Sequence, residues 1–118
     1  MNNLYYFDEC SGSDMRTVFT QAIGQEIYRI RRNRSITGKE LAKELNVSQQ
    51  QVSRYERGVC NITVDTLILI LSILNMPVDE FFKHVYLNVS EKHALVDERY
   101  CQILLSLDQN NNQILEFN

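Results

Sequence analysis

The strongest constraint on the fold of this chain is a pair of helix-start signals that follow each other closely. Thr37 stands three residues before Glu40, and Ser48 stands three residues before Gln51. In a capping box, a hydroxyl side chain at the N-cap and a Glu or Gln side chain at the third helical position each satisfy a backbone N–H group of the other. The two boxes therefore predict two short helices in immediate succession.

The residues between and after the two boxes indicate how these helices are joined. Asn46 tolerates the positive φ that ends a helix, and Gly58 can close the second helix in the same way. Ala42 is small enough for the two helix backbones to approach each other. Two helices of about eight residues joined by such a short turn form a helix-turn-helix. The core side of this unit is expected at Leu41, Leu45, Val47, Val52 and Tyr55.

The N-terminal part of the chain also shows helical periodicity, because its apolar residues recur every three or four positions. We predict a first helix from Asp14, capped by Ser13, to about Asn33. Gly24 is a point at which this helix can divide into two pieces. Its apolar stripe is expected at Met15, Phe19, Ala22, Ile23, Ile27 and Ile30.

The C-terminal part has the same character. Thr63 can cap a fourth helix, Pro77 suits the first position of a fifth, and a further helix is expected after Asn88, over residues 90–107. The predicted fold class is all-α: a five-helix domain with an N-terminal extension and an extra C-terminal helix. Apolar stripes are expected at Leu67, Ile70, Leu71 and Leu74, then Val78, Phe81 and Phe82, then Val96, Tyr100, Ile103, Leu104 and Leu107.

Charge is distributed unevenly along the chain. The net charge is −3, yet between residues 28 and 58 eight basic residues face three acidic ones, and eight minus three leaves a local balance of +5. A basic face on an acidic body predicts a directed contact with a polyanion. The basic residues are Arg29, Arg31, Arg32, Arg34, Lys39, Lys43, Arg54 and Arg57.

Composition argues against several other classes of protein. The 118 residues suit one domain. The longest apolar run covers only residues 67–71, which is too short to cross a membrane, and no signal peptide is evident. We therefore expect a cytoplasmic, nucleoid-associated protein without membrane contact. Cys10, Cys60 and Cys101 are expected to be free thiols. His84 and His93 have no ligand cluster around them. We therefore expect no metal, no cofactor, no small-molecule ligand and no enzymatic activity.

The second helix of the helix-turn-helix is the candidate DNA-reading element. With its apolar side inward, it turns Gln49, Gln50, Ser53, Arg54 and Arg57 outward. Gln pairs bidentately with adenine and Arg with guanine on the edges of the major groove. A recognition helix contacts bases mainly through its N-terminal turn, where the two glutamines stand.

Residues 23–82 resemble the lambda-repressor-like, or XRE, helix-turn-helix family. The resemblance implies a compact five-helix domain that binds double-stranded DNA as a homodimer on paired half-sites, without catalysis. Residues 3–10 and the region after Leu87 resemble the MrpJ-type regulators, which are encoded with fimbrial gene clusters in enteric bacteria. That likeness implies repression of motility while fimbriae are made. The family motifs are Arg31-Arg32, Lys39-Glu40-Leu41-Ala42, Val47-Ser48-Gln49-Gln50-Gln51-Val52-Ser53 and Tyr55-Glu56-Arg57-Gly58.

The resemblance also implies roles for individual residues. Arg31 and Glu56 match a pair that often forms a structural salt bridge, although two independent surface charges are the alternative. The family commonly has glutamine where this chain has Gly38, and that glutamine contacts phosphate and braces the first reading residue, Gln49. The base-reading candidates are Gln49, Gln50, Ser53 and Arg54, and the phosphate-contact candidates are Thr37, Lys39 and Arg57.

Two questions stay open at the level of sequence. The chain divides into residues 1–19 as an extension, 20–86 as the DNA-binding domain and 87–118 as a C-terminal helix and tail. This last part either adds to the core or forms a dimer seam, that is, the contact between two copies. The alternative function is a protein-interaction adaptor or antitoxin-like module that reuses the fold. The basic face favours DNA binding over this alternative, because an adaptor has no need of it.

Overall fold

The computed structural model describes residues 2–92 together with residues 102 and 103. The predicted all-α class with five helices is confirmed, and the described residues contain no strand. Although the first helix is long, neither it nor any other described helix has the combination of length and apolar character needed to cross a membrane. The helices are α1 (Asn2–Asn33), α2 (Gly38–Leu45), α3 (Gln49–Arg57), α4 (Val64–Ile73) and α5 (Val78–Lys92).

The start predicted for the first helix is wrong. Helix α1 begins at Asn2, so Ser13 and Asp14 lie inside it and cap nothing. A Ser can act as an N-cap only where the preceding backbone is not helical, and the residues before Ser13 are already helical. The helix also continues through Gly24 without a break, because a single glycine costs a helix only about 1 kcal/mol.

The joint between α2 and α3 has the predicted geometry. The Thr37 capping box is complete: the Glu40 N–H donates to Thr37 Oγ1 at 3.0 Å, and the Thr37 N–H donates to Glu40 Oε1 at 2.9 Å. Asn46 has a φ of 58°, and its N–H donates to carbonyl oxygens at the end of α2. Gly58 ends α3 with a φ of 69°.

The second capping box is only half formed. Ser48 Oγ accepts from the Gln51 N–H at 3.0 Å, as predicted. The Gln51 side chain does not complete the box, because its Nε2 instead donates to Cys60 Sγ at 3.4 Å in the segment that follows α3. A single bond at the N-cap is therefore sufficient to start α3.

One core joins the five helices and follows the predicted stripes closely. Val78, at the first position of α5, is an exception, because it lies at the edge of the core and is 43% exposed. The stripe of α5 instead continues from Phe81 to two residues that the sequence analysis did not name, Val85 and Val89. The buried hydrophobic residues of the described part of the chain are Met15, Ala22, Ile27, Ile30, Leu41, Ala42, Val52, Leu67, Ile70, Leu71, Leu74, Phe81, Val85 and Val89.

The C-terminal boundaries differ from those predicted. Helix α5 begins at Val78, and Pro77 precedes it, with its carbonyl accepting from the Phe81 N–H at 2.9 Å. The helix then passes through Asn88 to Lys92, so the further helix predicted from residue 90 does not start there. Its apolar stripe lies outside the described residues apart from Ile103, which is helical and exposed. Because Met15 and Val89 share one core, the packed unit is wider than residues 20–86.

Candidate nucleic-acid interface

The outer face of α3 brings together the five polar residues expected there. Gln49, Gln50, Ser53, Arg54 and Arg57 are all exposed. At about 100° per residue, they occupy a sector of roughly 140° around the helix axis. The buried Val52 projects from the other side of α3 into the core. Helix α3 therefore presents a continuous polar and basic surface to solvent.

The position of α3 depends on a close contact with α1 that the sequence analysis missed. A Cβ atom on Gly24 would lie 2.4 Å from the Tyr55 carbonyl oxygen and 2.7 Å from that of Glu56, so only glycine fits between the two backbones. Farther along, a Cβ atom on Gly58 would lie 2.6 Å from Gln21 Cα. The available signal was a glycine inside an apolar helical stripe, which indicates a packing role as readily as a break.

An ion pair also fixes α3 to α1. Arg31 Nε donates to Glu56 Oε2 at 2.6 Å, and Arg31 Nη2 donates to Glu56 Oε1 at 3.0 Å. The third nitrogen of the guanidinium, Nη1, donates to the Ile36 carbonyl oxygen at 2.8 Å. The Glu56 hydrogen bonds raise the pKa of Arg31 above its usual range, despite the opposing effect of burial. Arg31 is 8% exposed, so it is a buried residue that connects α1 to α3 and not a surface cation.

Two further basic residues of the predicted basic face also have structural partners. Arg29 Nε lies 2.7 Å from Glu26 Oε2 on the same helix. Arg34 Nε donates to the Leu74 carbonyl oxygen at 2.6 Å, and so satisfies a carbonyl at the end of α4. No local sequence pattern could reveal this contact, because Arg34 and Leu74 are 40 positions apart. Five residues of the basic face form neither a salt bridge nor a hydrogen bond to a main-chain carbonyl within the described residues: Arg32, Lys39, Lys43, Arg54 and Arg57.

The first turn of α2 lies next to the first turn of α3. A Cβ atom on Gly38 would lie 3.9 Å from Gln49 Cγ and equally far from the Arg31 guanidinium, so this position has room for a side chain. Thr37 and Lys39 flank it and are exposed. The Thr37 N–H and hydroxyl lower the pKa of Glu40 below its usual value of 4.5. The candidate phosphate contacts Thr37 and Lys39 thus stand on the segment that adjoins Gln49.

The structure offers no competing metal site in the part of the chain that it describes. No three His, Cys, Asp or Glu side chains within residues 15–91 group closely enough to hold a metal ion. Cys60 is a half-buried free thiol that accepts the hydrogen bond from Gln51. The outer face of α3 is therefore the main candidate site.

Comparison with known proteins agrees with this geometry. The chain is 36% identical over 61 residues to an uncharacterized HTH-type transcriptional regulator of Rickettsia prowazekii, covering 52% of this chain and 47% of that protein. A regulator of the same description from Rickettsia conorii is 34% identical over 61 residues, covering 52% and 49%. The chain thus spans about half the length of these two relatives.

A third relative is matched over more of its length. It is described as an uncharacterized transcriptional regulator in the ATPase CF(0) region of Rhodospirillum rubrum, and it is 40% identical over 72 residues, covering 59% of this chain and 67% of that protein. No solved structure matches the chain significantly. The family model described as helix-turn-helix matches residues 27–81, which span the end of α1 through the start of α5. On this evidence, the chain belongs to the helix-turn-helix family, as its resemblance to XRE proteins implied.

Proposed function

We propose that this protein is a sequence-specific DNA-binding transcriptional regulator that acts as a homodimer. The observation that carries the proposal is the outer face of α3, where three polar and two basic side chains are exposed together on a helix fixed to the core. The major groove of B-DNA, about 12 Å wide, admits such a helix. Nothing among the described residues occupies this face.

Base reading is assigned to the exposed residues of α3. Gln49 and Gln50 stand in the first turn of the helix and can each pair with an adenine, while Arg54 can pair with a guanine. Ser53 lies between them and can accept or donate a hydrogen bond at either kind of base. Thr37, Lys39 and Arg57 would contact phosphates at the two sides of this face.

Gly38 affects how the first reading residue is held. The Gln49 side chain forms no hydrogen bond with any described residue, and Gly38 offers it no side chain, although there is room for one. We therefore propose that Gln49 is less restricted than it would be beside a glutamine at position 38, and that it contributes less to sequence discrimination for that reason. Restoring a side chain with Gly38→Gln should increase the discrimination at the base that Gln49 reads.

Two copies on paired half-sites would place two recognition helices about 34 Å apart, one turn of DNA. The sequence offers the segment after Leu87 as a seam between the copies. A deletion that tests this should begin after Lys92, because Val89 is 1% exposed and belongs to the core. Sedimentation that is unchanged by this deletion would count against the C-terminal seam.

The regulatory role is proposed from the resemblance to MrpJ-type regulators: repression of motility genes while fimbriae are made, in the bacterial cytoplasm at the nucleoid. A reporter fused to a flagellar promoter should lose expression when this protein is produced. Unchanged or increased expression would contradict repression of motility without bearing on DNA binding.

The decisive experiment for DNA binding starts with selection of a preferred duplex from a random pool. Arg54→Ala should weaken binding to that duplex by about 1–3 kcal/mol, and weaken binding to random DNA much less. Lys83→Ala is the control for the loss of one cation, because Lys83 lies on α5 at a cleft lined only by residues 77–87, away from the outer face of α3. Equal weakening on both duplexes would make Arg54 a phosphate contact. Absence of any duplex binding by the unaltered protein at low salt would favour the adaptor alternative instead.

A further inference from the structure

An open cleft runs beside the outer face of α3, between that helix and α1. Its volume is about 310 Å³, and it is lined by Gln25, Tyr28, Ser53, Glu56 and Arg57. Two of these residues, Ser53 and Arg57, also belong to the outer face of α3. The cleft is therefore continuous with the candidate DNA-reading surface.

Tyr28 and Arg32 are held together at the α1 side of this cleft. Tyr28 is 44% exposed, and Cζ of Arg32 lies 5.6 Å from its ring centroid, close to the 5.3 Å of Arg31 Cζ. Arg32 Nη1 also donates a hydrogen bond to the Tyr28 hydroxyl at 3.1 Å. Because that hydroxyl oxygen acts as the acceptor, its own proton is available to another acceptor, as are the remaining guanidinium N–H groups of Arg32.

The packing of α1 along α3 decides which part of α3 lies beside Tyr28. Helices α1 and α3 run in opposite directions: Gln21 packs at Gly58, which ends α3, whereas the Arg31 guanidinium lies beside Gly38, next to Gln49 at the start of α3. Tyr28 shares its cleft with Ser53 and Arg57. The Tyr28 and Arg32 pair therefore flanks the middle and the end of α3.

The electrostatics of the cleft favour an anion. Its one carboxylate, Glu56, is neutralised by the bidentate pair with Arg31. Arg57 lines the cleft and Arg32 is bonded to Tyr28 at its α1 side, and neither arginine forms a salt bridge with a described residue. A phosphate at Tyr28 would meet these two cations and a phenolic donor without an unpaired acidic group.

We propose that Tyr28 and Arg32 form a phosphate-binding site on α1, which holds the DNA sugar–phosphate backbone beside the groove that α3 enters. This inference rests on the proposed function and extends its interface beyond α2 and α3. Arg57 binds from the α3 side of the same cleft, and the Tyr28 ring packs against the backbone sugar.

The test is the salt dependence of DNA binding, measured by fluorescence anisotropy on the selected duplex and on random DNA. Each phosphate contact contributes about 0.9 to the slope of log affinity against log salt. Arg32→Ala should reduce this slope by about one contact on both duplexes, whereas Lys83→Ala should leave it unchanged. Tyr28→Phe keeps the ring but removes the hydroxyl, and should weaken binding with a smaller effect on the slope.

Phosphate ethylation interference adds a readout that a structural role would not change. Ethylation of one flanking phosphate should block binding of the unaltered protein and have little further effect on Arg32→Ala. An unchanged slope and the same interference pattern for Arg32→Ala would overturn the site while leaving the proposed function intact. Failure of the unaltered protein to bind duplex DNA would refute the proposed function itself.

Discussion

Substitution of Gly24 by alanine is a direct test of how α3 is positioned. The new Cβ atom would lie 2.4 Å from the Tyr55 carbonyl oxygen, whereas ordinary contact begins at 3.4 Å, so α1 and α3 must separate locally by about 1 Å. The atoms in conflict belong to the backbone of another helix and cannot rotate away. The same separation would stretch the 2.6 Å bond between Arg31 Nε and Glu56 Oε2 toward ~3.6 Å, beyond hydrogen-bonding range.

The expected loss of stability follows from two opposing effects. Overpacking of this kind costs about 1–3 kcal/mol, and the rigidity of the contact favours the upper end. The better helix propensity of alanine offsets about 1 kcal/mol of this cost. We therefore expect Gly24→Ala to lose about 2 kcal/mol of unfolding free energy, which corresponds to a melting temperature roughly 10 °C lower for a domain of this size.

Urea unfolding followed by far-UV circular dichroism measures this loss. Gly38→Ala is the matched control, because a Cβ atom there meets nothing closer than 3.9 Å and the residue lies in the first turn of α2. That control should be neutral or slightly stabilising. If Gly24→Ala were as stable as Gly38→Ala, the close approach of α1 and α3 would be refuted, and with it the account of how α3 is held.

Two further predictions concern the ion pair and the capping box. Arg31→Ala should cost about 1–3 kcal/mol of unfolding free energy, because it leaves the partly buried Glu56 carboxylate without its partner. A double-mutant cycle with Glu56→Ala should show strong coupling, and additive losses would contradict the pair. Glu40→Gln keeps an acceptor for the Thr37 N–H but removes the charge. Because the folded-state pKa of Glu40 is lowered, its contribution is present above its usual pKa of 4.5 and is lost as the pH falls through the folded value. The difference in unfolding free energy between Glu40→Gln and the unaltered protein should therefore shrink between pH 7 and pH 3, and an equal difference at both pH values would contradict this. Glu44→Gln, which changes an exposed carboxylate of α2 that caps no helix end, is the control.

Sequence reasoning was most accurate where a few neighbouring residues decide the structure. The Thr37 capping box, the left-handed Asn46 and the αL glycine at position 58 depend on local hydrogen bonds and on φ, and the structure contains all three. It was least accurate where a local signal was overridden by neighbours. Ser13 lies inside α1 because the preceding residues are helical, and Gln51 bonds to Cys60 rather than to the Ser48 backbone.

The candidate interface shows the same division. The residues of α3 that face outward follow from helical periodicity, since an apolar side determines the polar side opposite. The number of cations available to a polyanion does not follow from periodicity, because it depends on partners distant in the chain. Arg34 is held by the end of α4 and Arg31 by Glu56, so a basic segment counted from sequence has fewer free charges than its composition suggests.

Helix type, helix ends and the helix-turn-helix itself could thus be read from residue order, since each depends on interactions within one or two turns of the chain. The closeness of α1 to α3 at Gly24 and the cleft beside Tyr28 came only from the packed structure. The physical reason is that short-range hydrogen bonds and steric limits act along the chain, whereas close packing and charge pairing act between segments whose separation in sequence carries no signal.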